Sequence, residues 1–137
     1  MKIQIQRTDE AFQMEAQNEL GKTILMDSSV KAGGKDSGLR PMELILSGLG
    51  GCSTIDILHI LKKQRYEVED IQITVEGQRA EKQIPAVFTK INLHFQVTGK
   101  IPPVKVERAI NLSLENYCSV SKMLVPNVEI TSSFEVI

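Results

Sequence analysis

The amino-acid sequence predicts an α+β fold with the element order βββ-α-ββ-αα-β. Three observations predict it. Apolar and polar residues alternate near the N-terminus, in the middle and at the C-terminus of the chain, the period of half-buried strands. A long apolar stretch, Met42 to Leu61, has the length of a helix and not of a strand. A later stretch, Val104 to Tyr117, repeats apolar residues at helical spacing. Strands grouped on both sides of helices favour mostly antiparallel sheets.

The elements come in order. Ile3 and Ile5 alternate with Gln4 and Gln6, and Phe12, Met14 and Ala16 repeat the pattern. Asn18 to Gly21 reads as a turn and Thr23 to Met26 as a third strand, which makes an N-terminal meander. Ser28 to Arg40, with Gly33, Gly34 and Gly38, reads as a mobile surface loop. Pro41 occupies a favoured first helical position, and the helix it opens should run to about Arg65. This helix is apolar nearly all round, so burial on most faces is expected. Gly48, Gly50 and Gly51 each cost it about 1 kcal/mol relative to alanine, a cost that close packing against another backbone would offset.

Ile71, Ile73 and Val75 begin one strand, and Val87 to Val97 forms the next, the two joined through Gly77 to Pro85. Pro102 and Pro103 open a helix carrying Val106, Ile110 and Leu114 as far as Tyr117. A short helix, Cys118 to Leu124, stops before Pro126, and Val128 to Ile137 is the last strand. The expected arrangement is antiparallel sheets packed around a long buried central helix, all within a single domain spanning residues 1–137.

Composition narrows the function. The net charge is -1 and Trp is absent, so neither a nucleic-acid surface nor an aromatic platform for bases is expected. The N-terminal segment MKIQIQRTDE lacks an apolar run of signal-peptide length. The apolar stretch after it is broken by Glu43, Asp56 and His59 and seeded with glycine, so a buried helix is expected and no membrane span. A cytoplasmic, reducing location is expected, where thiols stay reduced unless they do redox work. Two cysteines are too few for a structural zinc site, so no metal and no cofactor is expected.

The chemistry-bearing candidates are Cys52 and Cys118. Cys52 lies in Gly50-Gly51-Cys52-Ser53, where small neighbours leave room beside the sulfur. Cys118 comes after Tyr117 at the start of the short helix, where the helix dipole favours a thiolate. The competing reading is that both are small buried hydrophobes, a common fate of free cysteine. Cys52, Asp56 and His59 share one helix face. His59 stands about 10 Å along the axis from Cys52, too far to be its base. Asp56 is nearer, but its charge opposes ionisation of a thiol. His94, among strand residues, reads as structural. Arg40 and Glu43 flank the helix opening, where Glu43 balances the dipole and Arg40 is either solvated or turned toward the helix start.

Pro41-Met42-Glu43-Leu44 leading to Gly50-Gly51-Cys52, with Tyr117-Cys118-Ser119-Val120-Ser121 and Thr131-Ser132-Ser133-Phe134-Glu135, resembles the OsmC/Ohr family of thiol-dependent hydroperoxide reductases, and among them the YhfA-like members. The likeness covers essentially the whole chain. It implies an intertwined homodimer in which two central helices pack together and each site lies at the interface. It also implies that Cys52 attacks an organic hydroperoxide, that Cys118 resolves the sulfenic acid as a disulfide, and that a lipoyl-type dithiol restores the thiols.

One departure matters. Peroxidase members of the family carry a glutamate directly after the helix-opening proline, paired with an activating arginine. Here that position is Met42, and Glu43 lies about 180° around the helix from Cys52. Arg40 is the nearest arginine in sequence and Arg7 a strand candidate. The candidate catalytic set is therefore Cys52, Cys118, Arg40 and Glu43, with the cysteines carried by the motif and the other two by proximity. Two further readings stay open: a non-catalytic binder of a small apolar ligand at the dimer interface, suggested by Met42, Leu44, Leu49 and Met123, and a partner-docking domain with inert thiols.

Overall fold

The computed structural model describes residues 1–137, which fall into two compact units, Met1–Ile45 and Leu46–Ile137. The expected element order is found. Two three-stranded sheets and three α-helices make a mixed α+β fold.

In the first unit, β1 (Ile3–Arg7), β2 (Met14–Asn18) and β3 (Thr23–Met26) form an antiparallel meander in sequence order. Its turns are built by side chains that cap their own backbone. Asp9 Oδ1 accepts the N–H groups of Ala11 and Gln13. Asn18 Oδ1 accepts those of Leu20 and Lys22, while Gly21 takes the left-handed conformation that the tight turn requires. Phe12, expected in the second strand, belongs to the turn before it.

The glycine-rich segment after β3 is not the loose loop that its composition suggests. Asp27, only 3 % exposed, accepts the N–H groups of Ser28, Lys35 and Ser37 and the Ser37 hydroxyl. Those bonds, the Ser37 hydroxyl foremost, hold its carboxyl down to about 2. Ser29 caps a single 3-10 turn, Val30–Ala32, and Leu39 bridges back to Met26. Gly34 passes so close to the Ser28 carbonyl that no side chain fits there.

Helix α1 (Pro41–Lys63) starts at the end of the first unit and runs through the second. Lys62 and Lys63 in its last turn complement the dipole, and Arg65, at positive φ, ends it. In the second unit β4 (Asp70–Arg79) pairs antiparallel with β5 (Phe88–Thr98). Gly77, expected in the connection, lies inside β4, facing Phe88 and Leu46 where a larger side chain would collide. After β5 come α2 (Pro103–Leu112), α3 (Ser119–Leu124) and β6 (Glu129–Val136). β6 lies parallel to β5, the one parallel pair among the named strands, because the helical connection carries the chain back to the end where β5 begins.

The core belongs to this second unit. Ile91, Leu93, Phe95 and Val97 alternate on one face of the central strand. Leu49, Ser53, Ile57 and Leu61, four residues apart, form the buried stripe of α1, and α2 adds Val106, Ala109 and Ile110. Gly50 lets α1 approach Val75 and Ile73 of the sheet. Burial of α1 within one chain is thus confined to a stripe, narrower than its all-round apolar character predicts. Ile55 stays exposed, and Gly48 and Gly51 face no neighbouring atom within 4 Å. By length and hydropathy alone α1 is able to cross a membrane, a test that core helices also pass. Its commitment to the sheet through the Leu49–Leu61 stripe marks it as a core helix.

Candidate functional site

The two cysteines meet. The Sγ atoms of Cys52 and Cys118 and a carboxylate oxygen of Asp56 all lie within 4.8 Å of one another. Both thiols are free. Cys52 and Asp56 come from consecutive turns of α1, four residues apart on one face.

Cys118 is delivered by an irregularity. The sequence spacing predicts a helix continuing to Tyr117, but regular α-helix stops at Leu112 and the chain widens into a π turn, Ser113–Tyr117. There the Cys118 N–H donates to the Ser113 carbonyl at 2.8 Å, five residues back. Wide turns of this kind redirect the chain beyond them and are frequent at functional sites. Cys118 then becomes the N-cap of α3, its sulfur accepting the Ser121 N–H at 3.4 Å.

The thiols differ in setting. Cys52 is half-buried, whereas Cys118 is 2 % exposed. Burial pushes the Cys118 thiol up to about 11, with the neighbouring Cys52 adding to the rise and the Ser121 and Val120 N–H groups opposing it. Desolvation therefore outweighs the favourable helix start foreseen from the sequence. Cys118 is a protonated thiol at neutral pH.

Ser113 ties the cluster to the scaffold. Its fully buried hydroxyl lies 3.1 Å from Asp56 Oδ2 and 3.4 Å from the Ser53 carbonyl, sharing one proton between two acceptors. Ser121 Oγ donates to the Leu114 carbonyl and holds α3 against the π turn. Sequence reasoning placed Asp56 beside Cys52 but not beside both sulfurs; it missed Ser113 and named Ser121 only within the motif, without a role. The only signal for Asp56 was its four-residue spacing from Cys52.

A groove of about 410 Å³ opens beside the cluster, lined by Ile55, Asp56, His59, Ile60, Leu112 and Tyr117 among others. His59 stands exposed in that wall. His94 bonds Ser133 across the β5–β6 pair, a structural position as expected.

Arg40 and Glu43 pair with each other in the first unit. The Arg40 N–H donates to Glu43 Oε2 at 2.8 Å, its guanidinium lies 3.3 Å from Oε1, and a second guanidinium nitrogen meets Asp36 at 2.6 Å. Glu43 thereby closes a capping interaction at the start of α1. The thiol cluster is built entirely from residues of the second unit.

Comparison with known proteins places these features among relatives. Residues 34–133 match the family described as OsmC-like protein. Protein YhfA of Escherichia coli K12 is 45 % identical over 118 residues, 85 % of this chain and 84 % of its own. A hypothetical protein from Aquifex aeolicus VF5 superposes with a TM-score of 0.85 at 35 % identity, over 99 % of this chain and 95 % of that one. An organic hydroperoxide resistance protein OsmC from Legionella pneumophila superposes at 0.75 with 20 % identity, over 99 % and 98 %, a likeness of fold.

Proposed function

The chain belongs to the OsmC-like protein family, and from that premise we propose that it reduces organic hydroperoxides with Cys52 and Cys118 in a reducing, cytoplasmic setting. One observation carries the reading: two free sulfurs lie within 4.8 Å in unequal surroundings, one reachable and one sealed. Inert structural cysteines have no need of such a pairing.

The roles derive from the inequality. Cys52, half-buried beside the groove that Asp56 helps to line, is the attacking thiolate. It takes the terminal oxygen of the hydroperoxide. An S–O bond forms, the O–O bond breaks, and the alkoxide leaves as the alcohol after protonation. Cys118, held protonated by burial, is the resolving thiol. Its sulfur attacks the Cys52 sulfenic acid, the S–S bond forms, and hydroxide leaves with the Cys118 proton as water. Closure to a disulfide requires the sulfurs to approach to about 2.05 Å. A dithiol of the lipoyl class then returns two electrons by two exchange steps. The apolar wall of Ile55, Leu112 and Tyr117 suits the organic part of the substrate. A second copy of the chain would cover the open side of α1, where Gly48 and Gly51 leave room for a close backbone. Arg40 and Glu43, already paired, act in this scheme by setting the helix start.

Rapid mixing of the reduced protein with tert-butyl hydroperoxide tests the proposal. The expected result is loss of both thiols and one disulfide per chain. Cys118→Ser should stop at a sulfenic acid that dimedone traps, and Cys52→Ser should not react. Unchanged thiols in the parent, or a Cys52→Ser protein that behaves like it, would reject peroxide reduction.

The groove also supports a second reading, binding of a small apolar molecule without turnover. Native mass spectrometry separates the two: a retained apolar molecule with unreactive thiols supports binding, and an empty groove with rapid disulfide formation removes it.

A further inference from the structure

Asp56 has no part in the redox scheme, yet it completes a donor set. We propose that Cys52, Asp56 and Cys118 form a site for a thiophilic divalent cation, with Zn²⁺ as the chemical type. Three donors of the right kind, two sulfurs and a carboxylate oxygen, already converge within 4.8 Å. Around a tetrahedral zinc, with bonds near 2.3 Å to sulfur and 2.1 Å to oxygen, donor atoms stand roughly 3.6–3.8 Å apart. The three atoms therefore need to draw in by about 1.2 Å at most, within the reach of small side-chain rotations.

The architecture supports the same assignment. Two donors four residues apart on one helix, with a third from a separate element, is a recurrent way to hold zinc with one position left open. Asp56 also lines the adjoining groove, which would give the ion a path to the donors. Metal-binding carboxylates are characteristically held by a further hydrogen bond. Ser113, fully buried, supplies it at 3.1 Å. Binding of a divalent cation would displace the thiol protons, and its charge would then offset the anionic donors. Cys118 and Ser113 sit at the two ends of the π turn, so the irregular turn sets one donor and the support of another together.

The test uses the full-length, metal-free protein kept reduced with a phosphine. Co²⁺ is added as the spectroscopic probe, and Zn²⁺ is titrated in competition with a chromophoric chelator. The expected result is thiolate-to-cobalt charge-transfer absorption, one equivalent of Zn²⁺ per chain, and protection of both thiols from alkylation. Cys52→Ser and Cys118→Ser should each weaken Zn²⁺ binding by more than about 100-fold, and Asp56→Asn and Ser113→Ala by roughly tenfold or more. Asp56→Asn keeps the shape of the side chain, and circular dichroism verifies its fold. Absent charge transfer in the reduced parent, or parental Zn²⁺ affinity in Asp56→Asn, would overturn the proposal. None of these readouts depends on peroxide reactivity, so the site stands or falls separately from the proposed reduction.

Discussion

The two sheets of this protein are stabilised by different physics. The C-terminal sheet has a conventional core, with Phe95, Leu93, Ile91 and Val97 fully buried and α1 and α2 contributing their own apolar stripes. The N-terminal meander buries almost nothing: Ile3, Ile5, Phe12, Ile24 and Leu25 are all exposed, and Met26 is its one buried apolar residue. It is held by ladder hydrogen bonds and by carboxylates and amides that close its turns. A three-stranded sheet with an apolar face needs a surface to cover that face. The contrast teaches that one half of the chain carries a core of its own, while the apolar side chains of the other stay exposed in the single chain.

The largest expected effect breaks the contrast directly. Phe95→Ala removes a fully buried ring and should cost about 3–5 kcal/mol in urea unfolding. Ile5→Ala, at a position 59 % exposed, should cost less than about 0.5 kcal/mol in dilute solution. Equal losses would mean that the first sheet has a hidden core of its own. The helix offers a finer version. A methyl group on Gly50 would meet Val75 at 2.9 Å, so Gly50→Ala should destabilise by about 1–3 kcal/mol. Gly51 faces open space, and Gly51→Ala should stabilise the isolated chain by up to about 1 kcal/mol. If a second copy packs there, sedimentation should show weaker self-association for Gly51→Ala but not for Ile57→Val, which changes the inward stripe.

The smallest effect sharpens the view of the first unit. Asp27 titrates at about 2, below its ordinary 3.8, so it contributes stability above pH 4 that is lost as the pH falls toward 2. Amide exchange at Lys35 and Ser37 should accelerate across that window. Asp27→Asn should abolish the pH dependence, and a persistent dependence in that variant would assign it to another carboxyl.

Much of the fold was legible in the sequence, for physical reasons that also set the limits. Strand periods located five of the six strands to within a residue or two, because one face of each is distinct from the other. Phe12 was misplaced since a turn residue can continue an alternation by chance. The parallel partner of β5 was invisible, because pairing partners are chosen by the connection and not by a local pattern. The Ser28–Arg40 segment looked loose because composition registers glycine and lysine but not a single aspartate that gathers three N–H groups. At the site, the cysteine pair was legible through family likeness. The π turn was not, since Ser113 to Tyr117 has no helix-breaking residue, and without that turn the convergence of Asp56 and Ser113 could not be foreseen.

The parallel pairing of the last strand has a mechanical consequence. Cys118 is carried on a strap stretched between two neighbouring strands, anchored at Gly99 on one side and Val128 on the other. Between those anchors the segment folds into α2, the π turn and α3, and the Ser121 hydroxyl bond to the Leu114 carbonyl holds the last of these in place. The position of the buried sulfur is therefore fixed from both sides by adjacent strands of one sheet, although neither strand carries a thiol.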